Sequence, residues 1–270
     1  MDNPEFASAV HRPADQIDLA LAALLFARDA YPALEPQLYL NQLDEWAEDV
    51  RSDVASAADP IEPLNAFLFN ELRFIGNRHA YDDPLNNYLN KAIDRRVGLP
   101  ITLSVIYLEI ARRLNLPVDG IGLPGHFVVR HIGPGGRRYI DPFHQGRLLT
   151  EADCRQLVAE LSNGQLALQP SMLEPVSAHY ILVRMLNNLK NAQVHQERFN
   201  DALSAVERLI DLQPDESVHL RDLGLLYYQL RHYGLALHHL QRYAALENIG
   251  PEDPIREVIV DCRTALAHLN

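Results

Sequence analysis

Residues 98–118 read GLPITLSVIYLEIARRLNLPV, and the setting of this run decides the fold. Traced with a helical period, its apolar side chains (Ile101, Leu103, Val105, Ile106, Tyr107, Leu108, Ile110, Ala111 and Leu114) occupy nearly every side. A helix that is apolar all round belongs at the centre of a protein. Pro100 suits the first turn, where its missing N–H has no intrahelical partner to lose. The run therefore predicts a buried central helix over residues 99–114 that opens on Gly98-Leu99-Pro100. The mouth of such a helix is where many enzymes set a nucleophile, because the helix dipole favours an anion there.

Upstream of this run, residues 14–93 read as helices. ADQIDLALAALLFARDA (14–30) and PQLYLNQLDEWAEDVRSDVA (36–55) carry apolar positions three and four apart, with Pro32 and Pro36 between them. EPLNAFLFNELRF (62–74) and DPLNNYLNKAIDRR (83–96) are two shorter helices. Downstream the pattern switches to short β-type runs, VDGIGL (118–123), HFVVRHI (126–132) and RRYIDPF (137–143), with GPGG (133–136) as a turn.

A register follows from that turn. If GPGG is the loop, Ile132 faces Arg137 and Val128 faces Asp141. His126 and Val128 project to the same side, because side chains alternate along a strand. Asp141 then lies diagonal to His126 on one face of the hairpin, within side-chain reach. A loop one residue longer or shorter would put the two on opposite faces. Gly122-Leu123-Pro124-Gly125-His126-Phe127 sets a tight backbone path before the histidine and Asp141-Pro142-Phe143 closes the other side, so Pro124, Gly125, Phe127 and Phe143 are expected to line a cleft. Thr102 and Ser104, in the central helix, are expected there too.

Beyond TEADC (150–154), a helix opening after a Thr cap, the chain stays helical. Laying residues 181–214 over 215–248 reveals a repeat of 34: Leu186 matches Leu220, Leu189 matches Leu223, Phe199 matches Tyr233, Ala202 matches Ala236 and Val206 matches Leu240. That period, with Ala202 and Ala236 as small helix contacts, Pro214 ending the first unit, and Gly224 and Tyr227 in the second, is the signature of tetratricopeptide repeats. EDPIREVIVDCRTALAHLN (252–270) supplies the closing helix that repeat arrays need.

The bulk numbers exclude several classes. The formal charge of −12 is spread along the chain, which argues against nucleic acid or an anionic membrane as partner. No apolar run reaches the ~20 residues of a bilayer span, and the N-terminal residues lack a secretory pattern. Two cysteines, Cys154 and Cys262, make no disulfide framework and suit a reducing cytoplasm. Both are expected to be small buried side chains. His126, His131 and His144 flank the hairpin, but alternation sends His131 to the face opposite His126. No His-x-x-x-His pair with a third ligand sits in an apolar setting, so neither a metal nor another cofactor is expected.

RRVGLPITLSVIYLEIARRLNLPV, GIGLPGHFVVRH and YIDPFHQGRLL, in this order, resemble the transglutaminase-like family and, within it, the SirB-type proteins that join such a core to tetratricopeptide repeats. The resemblance implies an α+β fold, mostly α: a helical N-terminal portion and a transglutaminase-like (papain-like) core with a small antiparallel sheet over residues 1–175, and a tetratricopeptide repeat pair with capping helix over 176–270. It implies a bacterial, cytoplasmic protein linked to regulation. In the wider family a cysteine at the helix start attacks a carbonyl, a histidine moves the proton and an aspartate orients the imidazole. His126 and Asp141 fall into the latter two places, and the place of the cysteine is held by Pro100. The resemblance thus implies a vestigial site of Pro100, His126 and Asp141 in a non-catalytic adaptor that binds a protein or peptide through its cleft and its repeat surface. The alternative is a hydrolase or acyltransferase in which His126 and Asp141 activate water or Ser104.

Overall fold

The computed structural model describes residues 3–13, 16–133 and 136–269. The protein is mostly helical, with small sheets. Its contacts gather into two compact units, residues 8–185 and residues 1–7 together with 186–270.

A short α1 (Pro4–Val10) is divided between the two units, and the larger unit continues with helices α2 (Leu19–Ala27) and α3 (Pro36–Ser56). The Asp18 carboxylate caps α2 by accepting from Leu21 N at 2.9 Å. Ala14 and Asp15, the first residues of the helix expected from the sequence, lie outside the described residues. The expected helix at 62–74 forms as α4 (Ile61–Asn65) running straight into a π-helical turn, Ala66–Glu71. A two-residue strand β1 (Ile75–Gly76), a 3₁₀ turn (Pro84–Asn87), α5 (Leu89–Arg95) and β2 (Val97–Gly98) lead to α6 (Pro100–Arg113). β1 and β2 pair in parallel, with Gly76 opposite Gly98.

Helix α6 is central, as its apolar girth requires. Leu103, Val105, Ile106, Tyr107, Ile110 and Ala111 are all buried, and Pro100 stands at its first helical position. Its buried Glu109 is neutralised at the C-terminal end by Arg113 at 2.5 Å and Arg112 at 2.9 Å. After α6 comes a four-stranded antiparallel meander, β3 (Val118–Ile121), β4 (Val128–Gly133), β5 (Gly136–Asp141) and β6 (Arg147–Leu149). Ile132 pairs with Arg137 and Val129 with Ile140, so the predicted register holds. Of the GPGG turn, Pro134 and Gly135 lie outside the described residues.

The sheet is covered on both faces, which is why the first four residues of β4, Val128 to His131, are buried in succession. Helix α6 lies against β3 and β4. Val128, Tyr139 and Leu149 form a second core with Cys154 and Val158 of α7 (Glu151–Leu161). α7 opens on a capping box in which Asp153 N donates to Thr150 Oγ1 and Thr150 N donates to the Asp153 carboxylate.

The smaller unit holds the end of α8 (Ala178–His195), then α9 (Phe199–Leu212), α10 (Val218–Gln229), α11 (Tyr233–Leu246) and α12 (Pro254–Leu269). Ala202 and Val206 of α9 pack against Leu223 and Leu226 of α10, with Tyr227 at the margin. Pro214 follows the end of α9. Gly224 lets α10 approach α11, since a Cβ there would fall 2.5 Å from Leu240 Cδ2. Ala236 is fully buried, and α12 closes the array through Ile255 and Ile259.

Candidate functional site

The site begins with a turn. His126 N donates to Leu123 O at 3.1 Å, with Pro124 and Gly125 between them. Gly125 has φ of +72°. Proline second and a left-handed glycine third make a type II turn, which explains the sequence LPGH. It delivers His126 to the start of β4.

Across the hairpin Asp141 ends β5. His126 Nε2 donates to Asp141 Oδ2 at 2.9 Å, and the two side chains are 5% and 2% exposed. Asp141 does more than accept from His126. Its Oδ1 caps the 3₁₀ turn Pro142–His144 by accepting from Phe143 N at 3.0 Å and His144 N at 3.2 Å. Its Oδ2 also accepts from His144 Nδ1 at 2.7 Å. Gln145, at φ +56°, turns the chain back, and Gly146 N closes on Asp141 O at 2.9 Å. Burial raises the Asp141 pKa, but hydrogen bonds and charge from His126 and His144 outweigh it and hold the carboxyl below its ordinary range.

Phe143 connects this group to the mouth of α6. Its ring centroid lies 5.9 Å from that of His126 and 5.3 Å from that of His144, edge-on to both. On its other side is Gly76, where an added Cβ would come within 2.4 Å of Phe143 Cδ2. Gly76 pairs with Gly98, two residues before Pro100. Pro100 itself is buried.

The remaining predicted residues divide. Pro124 is half-buried and Gly125 exposed, at the surface of the turn. Phe127 is fully buried against Gly120 and Ile181, with the Arg184 guanidinium 5.6 Å from its ring centre. It is a core residue rather than a cleft wall, because the sheet face it occupies is covered. Thr102 and Ser104 are likewise wholly buried, and neither hydroxyl has a hydrogen-bond partner. Ser104 therefore does not touch the imidazole of His126. Cys154 is buried in the second core; burial, with Asp153, Asp141 and Glu151 adding, pushes its thiol pKa up to about 12. Such a thiol is inert.

Two participants were not among the residues expected at the site. Arg184 donates to His126 O at 2.7 Å and holds the turn from behind. His144 joins His126 and Asp141, so that ligand atoms of all three lie within 4.8 Å of one another, a donor set able to hold a metal ion. His131, by contrast, turns its Nδ1 to Pro117 O at 3.2 Å, away from the cluster. The signal for His144 was Asp-Pro-x-His, an aspartate capping its own third successor. A small cavity of about 130 Å³ reaches the cluster, lined by Asp141, His144 and Arg147 on one side and Asp153, Gln156 and Glu160 of α7 on the other.

Residues 37–187 match the family described as the transglutaminase-like superfamily, and residues 189–261 match the tetratricopeptide repeat. A UPF0162 protein of Xylella fastidiosa (strain Temecula1) is 38% identical over 240 residues, covering 86% of this chain and 85% of its own. A UPF0162 protein of Vibrio cholerae is 26% identical over 258 residues, 94% of each chain. F-box only protein 21 of Homo sapiens is 33% identical over 137 residues, 48% of this chain and 21% of that protein.

Proposed function

The chain belongs to the transglutaminase-like superfamily and has UPF0162 relatives in several bacteria, and we propose that it acts without catalysis, as a protein- or peptide-binding adaptor with a regulatory role in the cytoplasm. The observation that carries this reading is Pro100, buried at the first position of α6, where the family chemistry needs a thiol. A pyrrolidine ring has neither a nucleophilic atom nor a proton to give to His126. Among the described residues no cysteine or hydroxyl takes its place. Thr102 and Ser104 lack hydrogen-bond partners, and Cys154 keeps its proton.

On this reading His126 and Asp141 are a retained vestige. They tie the turn, the hairpin and the 3₁₀ segment together, and the 5% exposure of the imidazole leaves a substrate carbonyl no ready approach. The core over residues 1–175 and the repeat region over 176–270 would then be two binding surfaces, the second supported by the tetratricopeptide match. No helix among the described residues is long and apolar enough to cross a membrane. One observation favours the hydrolase reading: a histidine paired to a buried aspartate at 2.9 Å is the half of a triad that activates a nucleophile.

Turnover of p-nitrophenyl acetate and of a fluorogenic peptide amide separates the two. The adaptor reading expects folded wild type and His126→Ala to hydrolyse both at the same background rate. Turnover by the wild type that disappears in folded His126→Ala overturns it.

A further inference from the structure

We propose that His126, Asp141 and His144 form a binding site for a divalent transition-metal ion, with Zn²⁺ the ion their chemistry best suits. Two imidazole nitrogens and one carboxylate oxygen are borderline donors of the kind zinc takes, and three protein ligands with one open position is a known zinc arrangement. The spacing is close to what the ion needs. Ligands at zinc's bond lengths stand about 3.3 Å apart around a tetrahedron. Here Asp141 Oδ2 is 2.9 Å from His126 Nε2 and 2.7 Å from His144 Nδ1. Both nitrogens are aimed at one oxygen and all three donor atoms lie within 4.8 Å of one another, so an ion entering among them requires the imidazoles to draw back from Oδ2 and turn toward it. Each imidazole then carries its proton on its other ring nitrogen.

The surroundings hold these donors in place as an outer ligand shell does. Two backbone N–H groups, of Phe143 and His144, fasten Asp141 Oδ1 and so fix the direction of Oδ2. Arg184 holds the backbone carbonyl of His126. The Phe143 ring stands edge-on to both imidazoles and restricts their rotation.

An entry path exists. The His144 side chain is 31% exposed, at the cavity of about 130 Å³. That cavity is lined by the carboxylates of Asp141, Asp153 and Glu160 against the single guanidinium of Arg147, a balance that favours a cation. Water from the cavity would complete the coordination. The inference goes beyond the adaptor reading and holds whether or not the site turns over a substrate. The contrasting possibility is a carboxylate pinned by two imidazoles that never takes up an ion.

The test uses the full chain, stripped with EDTA and then dialysed with Zn²⁺ and, separately, Co²⁺ near neutral pH. The site predicts one equivalent of Zn²⁺ retained after dialysis against metal-free buffer, and visible Co²⁺ absorption bands of a low-coordinate N/O site. In His144→Ala, and in His144→Gln should the smaller side chain unsettle the turn, affinity should fall at least about tenfold. His238→Ala, in the repeat region, should leave it unchanged. Wild type that retains no Zn²⁺, or folded His144 variants that retain as much as wild type, would overturn the proposal.

Discussion

A single oxygen atom, Asp141 Oδ2, receives hydrogen bonds from two imidazoles, while its twin Oδ1 receives two from the backbone. Four contacts on one buried carboxylate make Asp141 the residue that joins β4, β5 and the 3₁₀ turn. The half of this arrangement that rests on strand alternation was legible: the parity of His126 and Asp141 follows from the hairpin loop. The other half was not, because at Pro142 the chain leaves the strand, and side-chain direction in a three-residue turn has no period to read. Ser104 offers the complementary case. Its hydroxyl is buried at 0% exposure with no partner, so it incurs desolvation with nothing in return. We expect Ser104→Ala to be neutral or more stable by up to about 1 kcal/mol in urea titration, and to leave any probe hydrolysis unchanged. A clear loss of stability would mean that the hydroxyl is bonded after all; a loss of hydrolysis would revive Ser104 as the nucleophile.

At the scale of elements, period decided what could be seen. α6 announced itself by apolar residues on every side, β4 and β5 by short β-type runs about a glycine turn, and the repeats by their offset of 34. β1 and β2, two residues each, and β6, three residues, are too short to carry a pattern. The π-helical turn after α4 looks like ordinary helix in sequence, since one inserted residue per turn leaves composition untouched. Phe127 was assigned to the cleft because it adjoins His126, yet the next residue along a strand faces the other way, into the core. In α10, His219 is 3% exposed with both ring nitrogens unpartnered. Burial lowers its pKa below the ordinary histidine value, Lys190 acting with it and Asp222 and Glu216 against. The folded chain thus refuses a proton that the unfolded chain accepts. Above about pH 6.5 this has no effect; as pH falls below that value, stability is progressively lost. Thermal unfolding should show a larger fall in Tm between pH 7.5 and 5.5 for wild type than for His219→Leu. Equal falls would contradict this assignment.

For the whole molecule, composition and family point the same way. A chain of 270 residues with a formal net charge of −12 carries a mean field that disfavours polyanions. The chain joins a transglutaminase-like core to tetratricopeptide repeats, a module that supports protein binding, and on the proposed reading that core no longer catalyses. On this account the core keeps the His126–Asp141 pair of its ancestral site and lacks the reacting atom. Restoring that atom is the most direct test. The measurement is the rate at which iodoacetamide alkylates Pro100→Cys, read peptide by peptide against Cys154 and Cys262, both buried with raised pKa values. If position 100 lies within reach of the His126–Asp141 pair, as the account requires, a thiol at this helix N-terminus should react faster than either native cysteine, and should slow when His126→Ala is added. A thiol at position 100 that reacts no faster than Cys154, or that is indifferent to His126, would contradict the account.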